Sequence, residues 1–383
     1  MGLKMNRRVW AIGFACLAMF VLGMSDNIRG PLYPELLLFF NLTNAQGSLS
    51  FAVASTAAFF GNIFAGALLR NYTLSRVLCI SIFAMGAGLA TMGISSTYIW
   101  YIVGAALFGG SMGLVALTQN VLVAESVDGP SQSKALSGLH GIYGLSSLLA
   151  PLVASFSTAF FGSWRSAFLV TAIFAGIVAL AASLYRARPR FEVHQAPEKV
   201  KNHKNSKKAL LLFGGLLAFY VVAEIMISTR LALYMRTYFA MDLEKSSYYV
   251  TGFFVMLLLG RLIFAIRTFT ATYKAQLNSS LLASIICLAL GLTVHPLFFV
   301  LLGMAMAPFY PVSVAYIAEQ TGIFQRQFIT FALSFQSLCV IAMHLGVGYL
   351  TDHFGLFYAF GVGIISLILS LICVNYHPKV SQL

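Results

Sequence analysis

Charge is what this sequence has least of. Only 9% of its 383 residues are charged, and acidic residues are scarcest, with 11 Asp and Glu against 24 Lys and Arg. Combined with a mean hydropathy of +0.86, this excludes a soluble globular chain, in which about 25% of residues are charged. Cysteine is sparse too. Cys16, Cys79, Cys287, Cys339 and Cys373 fall in apolar runs without metal-ligand spacing, which excludes a disulfide framework or zinc module and leaves them as small hydrophobes. No Walker A sequence and no metal motif occurs, so no cofactor, metal or nucleotide drive is expected from this chain. The formal charge of +13 would suggest nucleic acid in a soluble protein. In a bilayer the same basic residues sort by side of the membrane, and no nucleic-acid partner is expected.

What is present is apolar sequence in lengths of about 20 residues, enough to cross a hydrocarbon core as helix. Such segments lie near 9–40, 48–69, 77–95, 98–124, 135–160, 166–184, 209–240, 246–266, 277–293, 296–318, 327–350 and 356–375. Lys4, Arg7 and Arg8 before the first run imitate a signal peptide, but the run is too long and lacks an A-x-A site, so a retained span is expected. Basic residues cluster at Lys4/Arg7/Arg8, Arg70/Arg76, Arg186/Arg188/Arg190 with Lys199–Lys208, and Arg267/Lys274, while alternate loops are nearly bare. The positive-inside rule then puts both termini in the cytoplasm. The expected organisation is an N-terminal bundle of residues 1–184, a basic linker of 185–208 and a C-terminal bundle of 209–383.

The halves repeat each other in the same direction. Arg29, Leu32, Tyr33 and Leu42 of "IRGPLYPELLLFFNL" return as Arg230, Leu233, Tyr234 and Leu243 of "TRLALYMRTYFAMDL". Gly61 answers Gly260, Ala124-Glu125 answers Ala318-Glu319, and "FFGSWRSAF" answers "HFGLFYAF". Two parallel six-helix repeats predict a carrier with its substrate site near the midplane.

Six plus six spans and a basic central loop resemble the major facilitator superfamily over nearly the whole chain. The family's loop motif after the second span is reduced to "GALLRNYTLSR", with Arg70 where an acid is usual. "GMSDNIRGPLYP", "GLHGIYGLSSLLAP" and "AMAPFYP" are similar to patterns of the fucose-galactose-glucose:proton symporter branch, although Ala116 stands where that branch has an acid, a turn before Asn120. An arginine from each of the first and seventh helices also resembles the organic-anion carriers of the superfamily. The resemblance implies an all-α membrane protein of twelve transmembrane helices in two six-helix bundles. It further implies a secondary transporter, monomeric, in a bacterial inner membrane.

An ionisable group in a span costs a few kcal/mol and normally faces a cavity or a partner. Asp26 and Arg29 can meet on one helix face, as can Arg29 and Tyr33, and Arg230 and Tyr234 repeat the latter spacing. Arginine's planar fork suits carboxylate or phosphate, so these pairs point to an anionic ligand. Glu224 has no basic neighbour at i+3 or i+4, so burial disfavours its charge and marks it as a proton carrier, with Asp26 second. Gln119, Asn120, His140, Tyr220, Tyr310, Gln336 and His344 could line the site or merely join helices.

"GGSMG", Gly109–Gly113, formally matches the G-x-S-x-G nucleophile motif, but that motif needs a strand-to-helix turn, and here it sits inside an apolar span. The expectation is therefore a carrier and not an enzyme: a small polar solute, anionic, coupled to protons. A neutral sugar:proton symporter is the first alternative and an efflux antiporter the second.

Overall fold

The structure, a computed structural model, describes residues 7–127, 130–183, 204–267 and 270–376. The helices run α1 (Arg7–Asn27), α2 (Arg29–Phe40), α3 (Asn44–Asn71), α4 (Leu74–Ile94), α5 (Tyr98–Ser126), α6 (Pro130–Phe161) and α7 (Ser166–Ser183). They continue as α8 (Lys204–Phe239), α9 (Leu243–Ile266), α10 (Tyr273–Thr293), α11 (Leu297–Met306), α12 (Phe309–Thr321), α13 (Gln325–Phe354) and α14 (Leu356–Tyr376). Among the described residues twelve stretches are long and apolar enough to span a membrane, with α1 and α2 sharing one and α11 and α12 another. The tenth runs beyond its expected end at Ala318 to Phe324, because helix continues through the polar Glu319 and Gln320. Of the expected linker, 185–203 lies outside the described residues, and 204–208 turns out to open α8.

Both broken spans break at proline, which lacks the N–H that an interior helical residue donates to the fourth residue back. Pro31 and Pro34 follow the turn at Ile28, and Pro308 and Pro311 follow the α11 terminus. Several other helix starts are capped: the side chains of Thr73, Asp242 and Thr272 accept from Arg76, Lys245 and Ala275 backbone N–H.

The described residues form two compact units, one of residues up to 41 and from 49 to 183, the other of residues 42–48 and from 204 on. In the first, α4 packs on α5 and α7, and α1 on α5 and α6. In the second, α8 packs on α13 and α14, and α9 on α11. A Cβ on Gly109 or Gly113 of α5 would strike the carbonyls of Ala54 or Ala58 in α3, so glycine is what lets those backbones touch. Gly303 of α11 meets Phe253 of α9 in the same manner. The "GGSMG" run is thus a helix crossing, and its Ser111 hydroxyl donates to the Leu107 carbonyl of its own helix at 2.8 Å.

Candidate functional site

In the first unit the polar residues gather around the α1/α2 break. Arg29 pairs with Asp26 through Nη2 and Oδ1, and its Nε also donates to the Asp26 carbonyl at 3.3 Å. The guanidinium lies over the rings of Phe51 and Phe108, 5.0 and 4.8 Å from their centroids, so aromatic faces support the cation where water is missing. Asp26 Oδ2 accepts from the Tyr143 hydroxyl at 2.9 Å. Asn27 Nδ2 donates to Ser147 Oγ at 2.9 Å and reaches the Tyr143 oxygen at 3.3 Å. Tyr143 and Ser147 stand four apart on α6, one turn of a single face, which is how α6 presents both to α1.

Tyr33 is buried with its ring edge-on to Phe51, the same ring that Arg29 covers. Gln119 is fully buried, with Nε2 on Met19 Sδ at 3.1 Å and no hydrogen-bond partner for Oε1 among the described residues. Asn120 turns back onto the Ala116 carbonyl at 2.7 Å, and His140 is exposed about a turn before Tyr143.

In the second unit Glu224 of α8 meets Arg261 of α9 at 3.3 Å. Tyr220, one turn before Glu224, donates its hydroxyl to the Met306 carbonyl at 2.8 Å, at the α11/α12 break, and stacks on Phe309 with centroids 4.2 Å apart. Its hydroxyl also lies within reach of Glu224 and Arg261, and Tyr310 sits in the field of the same pair. Arg230 is buried and donates from Nη2 to Ser48 Oγ at 2.9 Å. Tyr234 is held among Tyr238, Phe299 and Phe360 and does not share the Glu224 cluster. Gln336 of α13 buries a carbonyl oxygen with no partner among the described residues.

The structure therefore joins Asp26 to Arg29, and Glu224 to Arg261 and Tyr220 with Tyr310 in the field of that pair, but leaves Tyr234, Asn120 and Gln336 outside those clusters. Sequence reasoning missed Tyr143, Ser147 and Arg261. One signal existed for Arg261: an arginine in a span, far from any acid in its own helix, requires a partner from another helix.

Residues 15–296 match the family model of the Major Facilitator Superfamily. The chain belongs to that superfamily. As a major facilitator it is an integral, multi-pass membrane transporter and not an enzyme. It is similar to the sodium-dependent glucose transporter 1A of Mus musculus, 31% identical over 133 residues, a match covering 35% of this chain and 31% of that protein. The chain thus matches about a third of that relative's length. Its fold is similar to the crystal structure of a D-xylose-proton symporter, with TM-score 0.79 and 15% identity over 98% of this chain and 99% of that one. The inward-open xylose transporter from E. coli gives TM-score 0.76 and 14% identity, covering 98% and 99% of the two chains.

Proposed function

We propose that this major facilitator carries a small uncharged polyhydroxy solute, a monosaccharide, by alternating access coupled to protons. The Asp26–Arg29 pair carries the reading. An anionic substrate would need the Arg29 fork, yet that fork is met within its own turn and its faces lie on two phenylalanine rings. What surrounds the pair is hydroxyl and amide, from Tyr143, Ser147 and Asn27, which suits sugar hydroxyls. The names of the relatives, one a glucose transporter and one a xylose-proton symporter, support the same class.

Asp26 divides its carboxylate between Arg29 and Tyr143, so adding a proton to it changes which partners it keeps. Glu224 beside Arg261 and Tyr220 offers a second group of that kind. An anionic solute is the second reading, favoured by Arg230, a buried guanidinium facing a hydroxyl. The loop charges support cytoplasmic termini, and the reading takes the carrier as a monomer in a bacterial inner membrane.

The test is uptake by the purified full-length protein in proteoliposomes. Saturable accumulation of xylose or glucose under an imposed pH gradient is expected, with Asp26→Asn keeping exchange but losing accumulation. Accumulation of succinate without sugar would reject the substrate class, and drive by a sodium gradient alone would reject the proton.

A further inference from the structure

The "FFGSWRSAF" motif forms the turn between α6 and α7, and nothing in the transport reading uses it. Beside it lies a groove of about 570 Å³, lined by the end of α4, the end of α6 and the first turns of α7. Its apolar wall includes Ile94, Phe161, Leu169 and Ile173. Three of these are among the most exposed apolar side chains of the unit, Ile94 at 67%, Phe161 at 60% and Ile173 at 65%. All lie within spanning segments, so the groove opens onto lipid. Its polar end is Arg165 with the hydroxyls of Ser163 and Ser166, and no acidic side chain lines it.

Arg165 has donors to spare. Nε donates to the Gly93 carbonyl at 2.6 Å and Nη2 to the Ser95 carbonyl at 2.8 Å, which fastens the cation to the end of α4. Its guanidinium is further fixed over the Phe39 ring at 5.3 Å. A guanidinium carries five N–H donors, so the two bonds leave several for an anion at the groove.

We infer that this groove binds an anionic phospholipid, with the phosphate on Arg165 and an acyl chain along Ile94, Leu169 and Ile173. Charge decides between occupants. A fixed cation at one end of an apolar trough that opens to the bilayer matches a headgroup joined to a chain. Nothing acidic in the trough would receive a choline or ethanolamine cation. A helix from a second protein fits poorly, since a cylinder 10 Å across would fill this volume in about one and a half turns.

Native mass spectrometry of the full-length protein, given dioleoyl phosphatidylglycerol or dioleoyl phosphatidylcholine, tests the inference. The wild type should retain phosphatidylglycerol about tenfold more strongly, because both lipids offer a phosphate to Arg165 but the choline cation finds no partner beside the guanidinium and is repelled by it. Arg165→Gln should level the two lipids. Because that change also removes the bonds to α4, Ile173→Trp is the second variant. It fills the apolar trough without touching those bonds and should lower retention of phosphatidylglycerol by a similar factor. Equal retention of both lipids by the wild type, unchanged retention by Ile173→Trp, or displacement of the lipid by excess inorganic phosphate would each overturn it.

Discussion

Two ion pairs among the described residues are built in opposite senses. Asp26 and Arg29 stand three apart across a helix break, and the arginine is the hidden partner, at 8% side-chain exposure against 28%. Glu224 and Arg261 come from different helices, and there the carboxylate is the hidden partner, at 18% against 30%. The difference has a chemical consequence. A buried carboxylate that loses its partner can take up a proton and become neutral, whereas a buried guanidinium cannot shed its charge. The first unit therefore depends on its pair for stability, and the second can survive without its pair at a smaller cost.

Asp26→Asn is the substitution that tests this most severely. It strands Arg29, and unfolding of the protein in nanodiscs should show a loss of about 3 kcal/mol, the low end for breaking a buried pair. Adding Arg29→Gln to it should recover at least half of that loss. If the double variant were no more stable than the single one, the stranded cation would not be the cause. Tyr143→Phe leaves the pair and removes only the hydroxyl that donates to Asp26 Oδ2. A hydrogen bond to a charged group predicts a loss of about 1.5 kcal/mol in the same measurement, together with weaker coupled uptake.

Arg261→Gln should cost less, about 1 kcal/mol in the same unfolding measurement, because Arg261 is the more exposed partner and water screens the pair it makes. A deficit equal to that of Asp26→Asn would erase the contrast between the two pairs.

How far the sequence revealed all this follows from the same contrast. The spans were legible because a bilayer imposes one length and one polarity on each. The breaks were less legible, since proline removes a donor at each of them yet α6 runs unbroken through Pro151. The repeat is visible in the fold as well: Gly162 and Gly355, matched in "FFGSWRSAF" and "HFGLFYAF", both take left-handed backbone, at φ 69° and 87°, where their helices end. The Asp26–Arg29 pair was legible because a helix turn enforces it. Tyr143, Ser147 and Arg261 were not, since each meets its partner only after separate helices have packed. The serine of "GGSMG" shows the converse: a motif matched in letters says nothing when the backbone beneath it is helix.

Tyr220→Phe makes the smallest change and isolates what connects the Glu224 pair to the α11/α12 break. The ring keeps its stack on Phe309, while the bond to the Met306 carbonyl and the hydroxyl's reach to Glu224 and Arg261 are lost. Hydrogen bonds between spanning helices average about 0.6 kcal/mol, so stability should fall by roughly that amount. Unlike Arg261→Gln, this variant leaves the Glu224–Arg261 pair in place, so its deficit should be the smaller of the two. A deficit as large as that of Arg261→Gln would mean that the tyrosine hydroxyl supports the ion pair as well as the helix break, and the two roles could no longer be separated.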